Sequence, residues 1–144
     1  MKVVLFCGGF GTRFKEETEL RPKPMIKVGN RPILWHIMKY YAHFGFNEFV
    51  LCTGYKSEVI KDYFYHYQVH NSDFTVKLGR KEHIEFHACD EVEDWTVTVA
   101  DTGLNTLKGG RLKKIEKYID GDTFMLTYGD GVCDVDLHLS LIHI

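Results

Sequence analysis

Lys2-Val3-Val4-Leu5-Phe6-Cys7-Gly8-Gly9-Phe10-Gly11-Thr12-Arg13 decides how the rest of this 144-residue chain is read. An apolar, partly β-branched run that stops at two glycines reads as a strand buried on both faces, the kind found inside parallel sheets. Glycines at the carboxyl end of such a strand let backbone N–H groups approach an anion without interference from Cβ atoms. No helix is predicted to follow at once, because residues 8–31 are punctuated by glycines and by Pro22 and Pro24. A loop of that length inside a compact domain is usually functional.

Outward from the loop, Pro32 opens a helix in which Ile33, Ile37 and Tyr40/Tyr41 recur at helical spacing, and Gly45 supplies its stop. Glu48 to Thr53 reads as a second buried strand. Ser57 to about Tyr67 reads as a helix with Val59, Ile60, Tyr63, Phe64 and Tyr67 on its apolar stripe. Strand, helix, strand, helix predicts a right-handed parallel βαβ sheet. Phe74 to Leu78 and His83 to His87 alternate with period two around Gly79-Arg80, predicting a partly exposed hairpin or meander. Trp95 to Val99 alternates too, Asp101-Thr102-Gly103 marks a turn, and Arg111 to Ile119 reads as a short helix with Leu112, Ile115 and Ile119 inward. Thr123 to Tyr128 is the last predicted strand, running into Gly129-Asp130-Gly131. Leu137 to Ile144 ends in mid-pattern, so residues 1–144 are read as one incomplete domain, truncated at the C-terminus.

Composition narrows the function. Eighteen basic and twenty acidic residues give a formal charge of −2, which offers no basic surplus for nucleic acid or an anionic membrane. The apolar N-terminal run is too short for a signal peptide or a span, so a soluble, cytoplasmic protein is expected. Cys7, Cys52, Cys89 and Cys133 lack CxxC spacing and read as reduced thiols. The pairs His66/His70 and His83/His87 have zinc-like spacing, but Glu85 between the second pair marks a solvated strand face, and zinc is not expected.

Arg13 adds a fixed cationic fork to the glycine loop, and Lys23, stiffened between Pro22 and Pro24, adds a point charge; amides plus two cations suit a polyphosphate. Asp130 is delivered by the last strand to the same sheet edge. Alone it would be a turn residue, but beside a phosphate-gripping loop it reads as a Mg²⁺ ligand, because Mg²⁺ takes one or two carboxylates and completes its shell with water and phosphate oxygens. A dinucleotide fingerprint fails, since Phe14 stands where its third glycine would be and no acid closes the second strand. A P-loop fails as well, for want of Gly-Lys-Ser/Thr.

Gly8-Gly9-x-Gly11-Thr12-Arg13 followed by Pro22-Lys23-Pro24-Met25 resembles the signature of the sugar-phosphate nucleotidyltransferases. Glu16-Glu17-Thr18, residues 32–38, Asp101-Thr102-Gly103, Gly109-Gly110-Arg111-Leu112 and Tyr128-Gly129-Asp130-Gly131-Val132 are similar to the members that join CTP to glucose 1-phosphate. The likeness runs from Met1 to about Asp136. It implies a Rossmann-like, GT-A-like, mostly parallel α/β sheet flanked by helices. It also implies transfer of a cytidylyl group to glucose 1-phosphate, giving CDP-glucose and pyrophosphate. Phe6, Cys7, Gly8, Gly9, Phe10, Gly11, Thr12 and Arg13 would hold the nucleotide, with Lys23 on the phosphates, Thr106 and Arg111 as further contacts, and Asp130 on Mg²⁺. Cys7 stands where the family usually has alanine. The chain is also shorter than such enzymes, and a second metal-binding aspartate and much of the sugar pocket are expected beyond it. A homo-oligomer and a role in bacterial O-antigen and lipopolysaccharide supply come with the resemblance. The alternatives left open are thymidylyl or uridylyl transfer to the same sugar phosphate, and a non-catalytic nucleotide-binding fragment.

Overall fold

The computed structural model describes residues 1–11, 19–79, 83–87 and 93–142. Strand β1 is Val3–Phe6. The segment read as loop holds a 3-10 turn over Lys23–Met25 and a small antiparallel ribbon of β2 (Lys27–Val28) and β3 (Arg31–Pro32). Helix α1 is Ile33–His43, with Pro32 as its N-cap. Strand β4 is Glu48–Thr53. The helix expected to reach Tyr67 instead breaks at His66 into α2 (Ser57–Tyr65) and α3 (Tyr67–Asn71). The expected hairpin is β5 (Phe74–Val76) against β6 (Ile84–Phe86), followed by β7, Thr96–Asp101. Helix α4 is Lys108–Ile115, continued by a 3-10 turn over Glu116–Tyr118. Strand β8 is Met125–Tyr128, and α5 is Leu137–Ile142.

The central sheet has the order β7-β4-β1-β8, and all three neighbouring pairs are parallel. The α/β reading therefore holds, and β7 belongs to this sheet rather than to the hairpin. β1 sits between β4 and β8, so both of its faces must be covered. On one face, Val3, Leu5 and Cys7 pack with Leu34, Ile37 and Met38 of α1, Leu51 of β4 and Ile60 of α2. On the other, Val4 meets Val50, Cys52, Ala100 and Ile115 of α4. The two-residue period of a strand thus divides one apolar run between two cores. Successive strands step from β1 out to β4 and β7, and the chain then returns across β1 to β8. Such a reversal places a crevice at the carboxyl ends of β1 and β8.

Helix α4 starts three residues earlier than expected, at Lys108, and runs through Gly109 and Gly110. Two glycines cost helix propensity, but burial of Arg111 and Ile115 on its inner side holds the helix in place. Ile119 lies beyond the helix, where it packs against the second core as a partly buried side chain. Arg80, Cys89, Asp90, Glu91 and Val92 lie outside the described residues. Glu93 and Asp94 lie within them, and Glu93 is not solvated, its side chain being only 6% exposed.

Glu93 ties the segment before β7 to α1 and α3. Its carboxylate accepts from Tyr67 Oη at 2.7 Å and from Lys39 Nζ at 2.9 Å, while Tyr67 Oη accepts from Trp35 Nε1 at 2.8 Å. Burial pushes the Glu93 carboxyl up, but these hydrogen bonds outweigh it and hold the group below its ordinary 4.5. A depressed carboxylate contributes stability above its unfolded-state value and loses it as pH falls through the folded value. Urea unfolding of the wild-type chain should accordingly weaken as pH drops below about 4.5. Glu93→Gln should be less stable at neutral pH and lose less on acidification. An identical pH dependence in the two proteins would contradict the clamp.

Candidate functional site

The crevice at the ends of β1 and β8 is a cleft of about 440 Å³, and its lining includes Phe6, Gly8, Gly9, Lys23, Thr106 and Asp130. Cys7, Gly11 and Arg111 line it as well, so nine of the ten described candidate residues converge there. The sheet explains the convergence: β1 and β8 pair in register through Phe6 and Tyr128. The Gly129 N–H continues the ladder to the Phe6 carbonyl at 3.0 Å, which brings the turn bearing Asp130 beside the glycine loop. A Cβ at Gly129 would meet Cys7 Sγ at 2.6 Å, so this close approach needs glycine.

Lys23 Nζ lies 2.5 Å from Asp130 Oδ2, with both side chains about 30% exposed (30% and 29%). The 3-10 turn aims Lys23 across the cleft, where its Pro22 carbonyl accepts from the Met25 N–H at 2.8 Å. Lys108 lies over the Tyr128 ring, its Nζ 5.0 Å from the centroid. Against Lys23, Lys108 and Arg111, Asp130 is the single carboxylate among the described lining residues, so the cleft favours a polyanion. The first turn of α4 also lines it, adding unpaired helix N–H groups and the positive end of the helix dipole.

Arg111 lines the cleft, but it is only 6% exposed and its guanidinium is turned into the sheet edge. Nη1 donates to the Thr53 carbonyl at 2.9 Å and to Thr102 Oγ1 at 2.6 Å, and Nη2 donates to the carbonyls of Gly8 at 3.2 Å and Leu104 at 3.3 Å. The ends of β1, β4 and β7 are thereby held by one guanidinium. Because a trans peptide places C=O and N–H on opposite sides, engaging the Gly8 carbonyl turns the Gly9 N–H away from Arg111. A Cβ on Gly8 would fall 2.5 Å from Arg111 Cζ. Gly8 is therefore needed for the guanidinium as much as for an anion.

One further candidate is placed differently. Phe10 is absent from the lining and is 45% exposed, packed on Tyr55 with ring centroids 5.6 Å apart. Its ring is drawn to an aromatic neighbour after β4. Thr12 and Arg13 lie outside the described residues. Thr106 does line the cleft, its Oγ1 accepting from Lys114 Nζ at 3.3 Å. Burial pushes the Cys7 thiol well up, so the thiol stays protonated and offers no nucleophile. Pro24, Leu107, Lys108 and Tyr128 were not foreseen. For Lys108 the available signal was the Gly109-Gly110 pair, which reads as a breaker rather than as a helix start.

Among the described residues Asp130 is the only carboxylate lining the cleft, and no group of three or more His, Cys, Asp or Glu could hold a metal. One carboxylate beside a cationic, phosphate-sized cleft fits Mg²⁺ held jointly with phosphate oxygens.

A parallel sheet with a glycine loop, a basic turn and a single acid at its switch point defines an α/β domain whose cleft suits a polyanion. The chain belongs to the nucleotidyl transferase family, whose model matches residues 2–135. The glucose-1-phosphate cytidylyltransferase of Salmonella typhimurium is 47% identical over 142 residues, covering 98% of this chain and 54% of that protein. A probable glucose-1-phosphate cytidylyltransferase of Bacillus subtilis is 44% identical over 144 residues, 99% of this chain and 56% of that protein. The crystal structure of HddC from Yersinia pseudotuberculosis complexed with GMP-PN is similar with a TM-score of 0.70 and 25% identity, covering 99% of this chain and 53% of its own. The chain spans about half the length of these relatives. Among the described residues, no helix is long and apolar enough to cross a membrane.

Replacing Arg111 by Lys keeps the charge but loses the planar fork. It should lower the free energy of urea unfolding by about 1.5–3 kcal/mol, the range for hydrogen bonds to a charged group. A loss below about 0.5 kcal/mol, the level of an ordinary surface substitution, would show that the guanidinium is not the brace.

Proposed function

We propose that this chain carries the nucleotide half of an enzyme that transfers a cytidylyl group from CTP to glucose 1-phosphate, releasing pyrophosphate and forming CDP-glucose. The observation that carries the polyphosphate part is the convergence of the Gly8–Gly11 loop, Lys23 and Asp130 on one cleft. The choice of CTP and of glucose 1-phosphate is supported by the 47% identity to the Salmonella protein. The same likeness supports a place in bacterial supply of nucleotide sugars for surface polysaccharide.

In this reading the nucleotide triphosphate lies along the glycine loop, with backbone N–H groups on phosphate oxygens. Lys23 offsets charge near the α-phosphate, and Arg13 steadies the β- and γ-phosphates that leave. An oxygen of the sugar phosphate attacks the α-phosphorus in line, the bond to the β-phosphate oxygen breaks, and pyrophosphate departs. The attacking phosphate is already ionised at neutral pH, so no protein base is needed. Catalysis then comes from positioning and charge neutralisation. Asp130 would hold Mg²⁺, which supplies charge neutralisation on the phosphates. Lys23, released from Asp130 when phosphates arrive, becomes available to them.

The test is pyrophosphate release by a protein of the relatives' full length, with CTP, dTTP and UTP compared on glucose 1-phosphate. CTP should be preferred. Lys23→Ala, Arg13→Ala and Asp130→Asn should each lower turnover at least a hundredfold, the scale seen when a transition-state donor is removed. Preference for dTTP or UTP would move the assignment to another branch. Wild-type turnover in Lys23→Ala would overturn the assigned roles.

A further inference from the structure

Behind the Lys23–Met25 turn lies a second groove of about 490 Å³, whose lining includes Met25, Lys27, Pro32, Tyr63, His66 and His70. The two clefts share this turn as a wall: Lys23 and Pro24 line the first and Met25 lines the second. Met25 and Pro32 are buried, and with Val59 they make the second groove's inner surface apolar. Its rim is basic. Lys27 comes from β2, His66 from the break between α2 and α3, and His70 from α3, while Asp62 is the single acid among the described lining residues.

The histidines are oriented. His66 Nδ1 lies 3.0 Å from the Asp62 carbonyl. A carbonyl only accepts, so Nδ1 carries the proton, and Nε2 is left as acceptor when the ring is neutral and donor when it is charged. The His70 ring stands edge-on to His66, with centroids 6.1 Å apart. Tyr63 lines the groove with its ring, and its buried hydroxyl lies beside the Arg31 guanidinium.

We propose that this second groove binds a small organic monophosphate carrying an apolar ring. The phosphate lies among Lys27, His66 and His70, and the ring lies on Met25, Pro32 and Tyr63. Neither these residues nor this pocket enters the nucleotidyl-transfer chemistry, so the proposal stands or falls separately from it.

Phenyl phosphate is the probe. The chain is titrated while the Cε1 proton resonances of His66 and His70, identified through His66→Gln and His70→Gln, are followed by NMR. Both resonances should shift along one saturable isotherm. Lys23→Ala, which disables the first cleft, should leave the isotherm unchanged, and Lys27→Ala, at an exposed position, should weaken it at least tenfold. Inorganic phosphate should bind at least tenfold more weakly than phenyl phosphate, a difference of about 1.4 kcal/mol. Shifts that remain linear would overturn the proposal, as would shifts lost in Lys23→Ala or unaffected by Lys27→Ala. Equal affinity for inorganic and phenyl phosphate would reduce the groove to a surface cation patch and would overturn it as well.

Discussion

The architecture of the cleft depends on a single buried guanidinium. Taking Arg111 out of water costs several kcal/mol unless its donors are satisfied, and they are met by three backbone carbonyls and one hydroxyl from three separate segments. The cost is therefore offset only when the ends of β1, β4 and β7 are in place together. That requirement couples the glycine loop to the sheet. It also accounts for Gly54, where a Cβ would meet Arg111 Nη1 at 2.8 Å and the Gly103 carbonyl at 2.7 Å. The Gly8 end of the loop is thereby held in place by Arg111 without a ligand, which reduces the ordering cost of binding there.

Around this brace the charges are arranged for a ligand that brings its own negative charge. Lys23 and Asp130 satisfy one another at 2.5 Å, so the cleft does not hold an uncompensated carboxylate. A nucleotide triphosphate with a cation would give each a new partner of opposite sign. The exchange replaces one ion pair by two. Cys7 lies beneath, buried and protonated, as a small apolar filler.

Much of this was legible in the sequence because it rests on local pattern. The run Val3 to Phe6 is apolar at every position, which only a strand covered on both faces tolerates, and α1 and α4 cover it. Asp130 follows a strand, and in a parallel sheet every such turn opens on the same edge. The role of Arg111 was not legible, because its partners at Gly8, Thr53, Thr102 and Leu104 are up to 103 residues away and meet only in the folded sheet. The start of α4 was hidden by Gly109 and Gly110, whose poor propensity is overridden by burial of Arg111 and Ile115. Phe10 was misplaced because a glycine-rich loop does not announce which way one of its side chains turns, and Tyr55 decides it. The break at His66 follows neither proline nor glycine, and nothing in the sequence marks it.

In the proposed reading these residues form a nucleotide site that prefers CTP. Calorimetric titration of the 144-residue chain, folded as judged by circular dichroism, with CTP and then dTTP in the presence of Mg²⁺ tests it most directly. The account predicts saturable, one-to-one binding with CTP favoured over dTTP. A folded chain that binds neither nucleotide would contradict it.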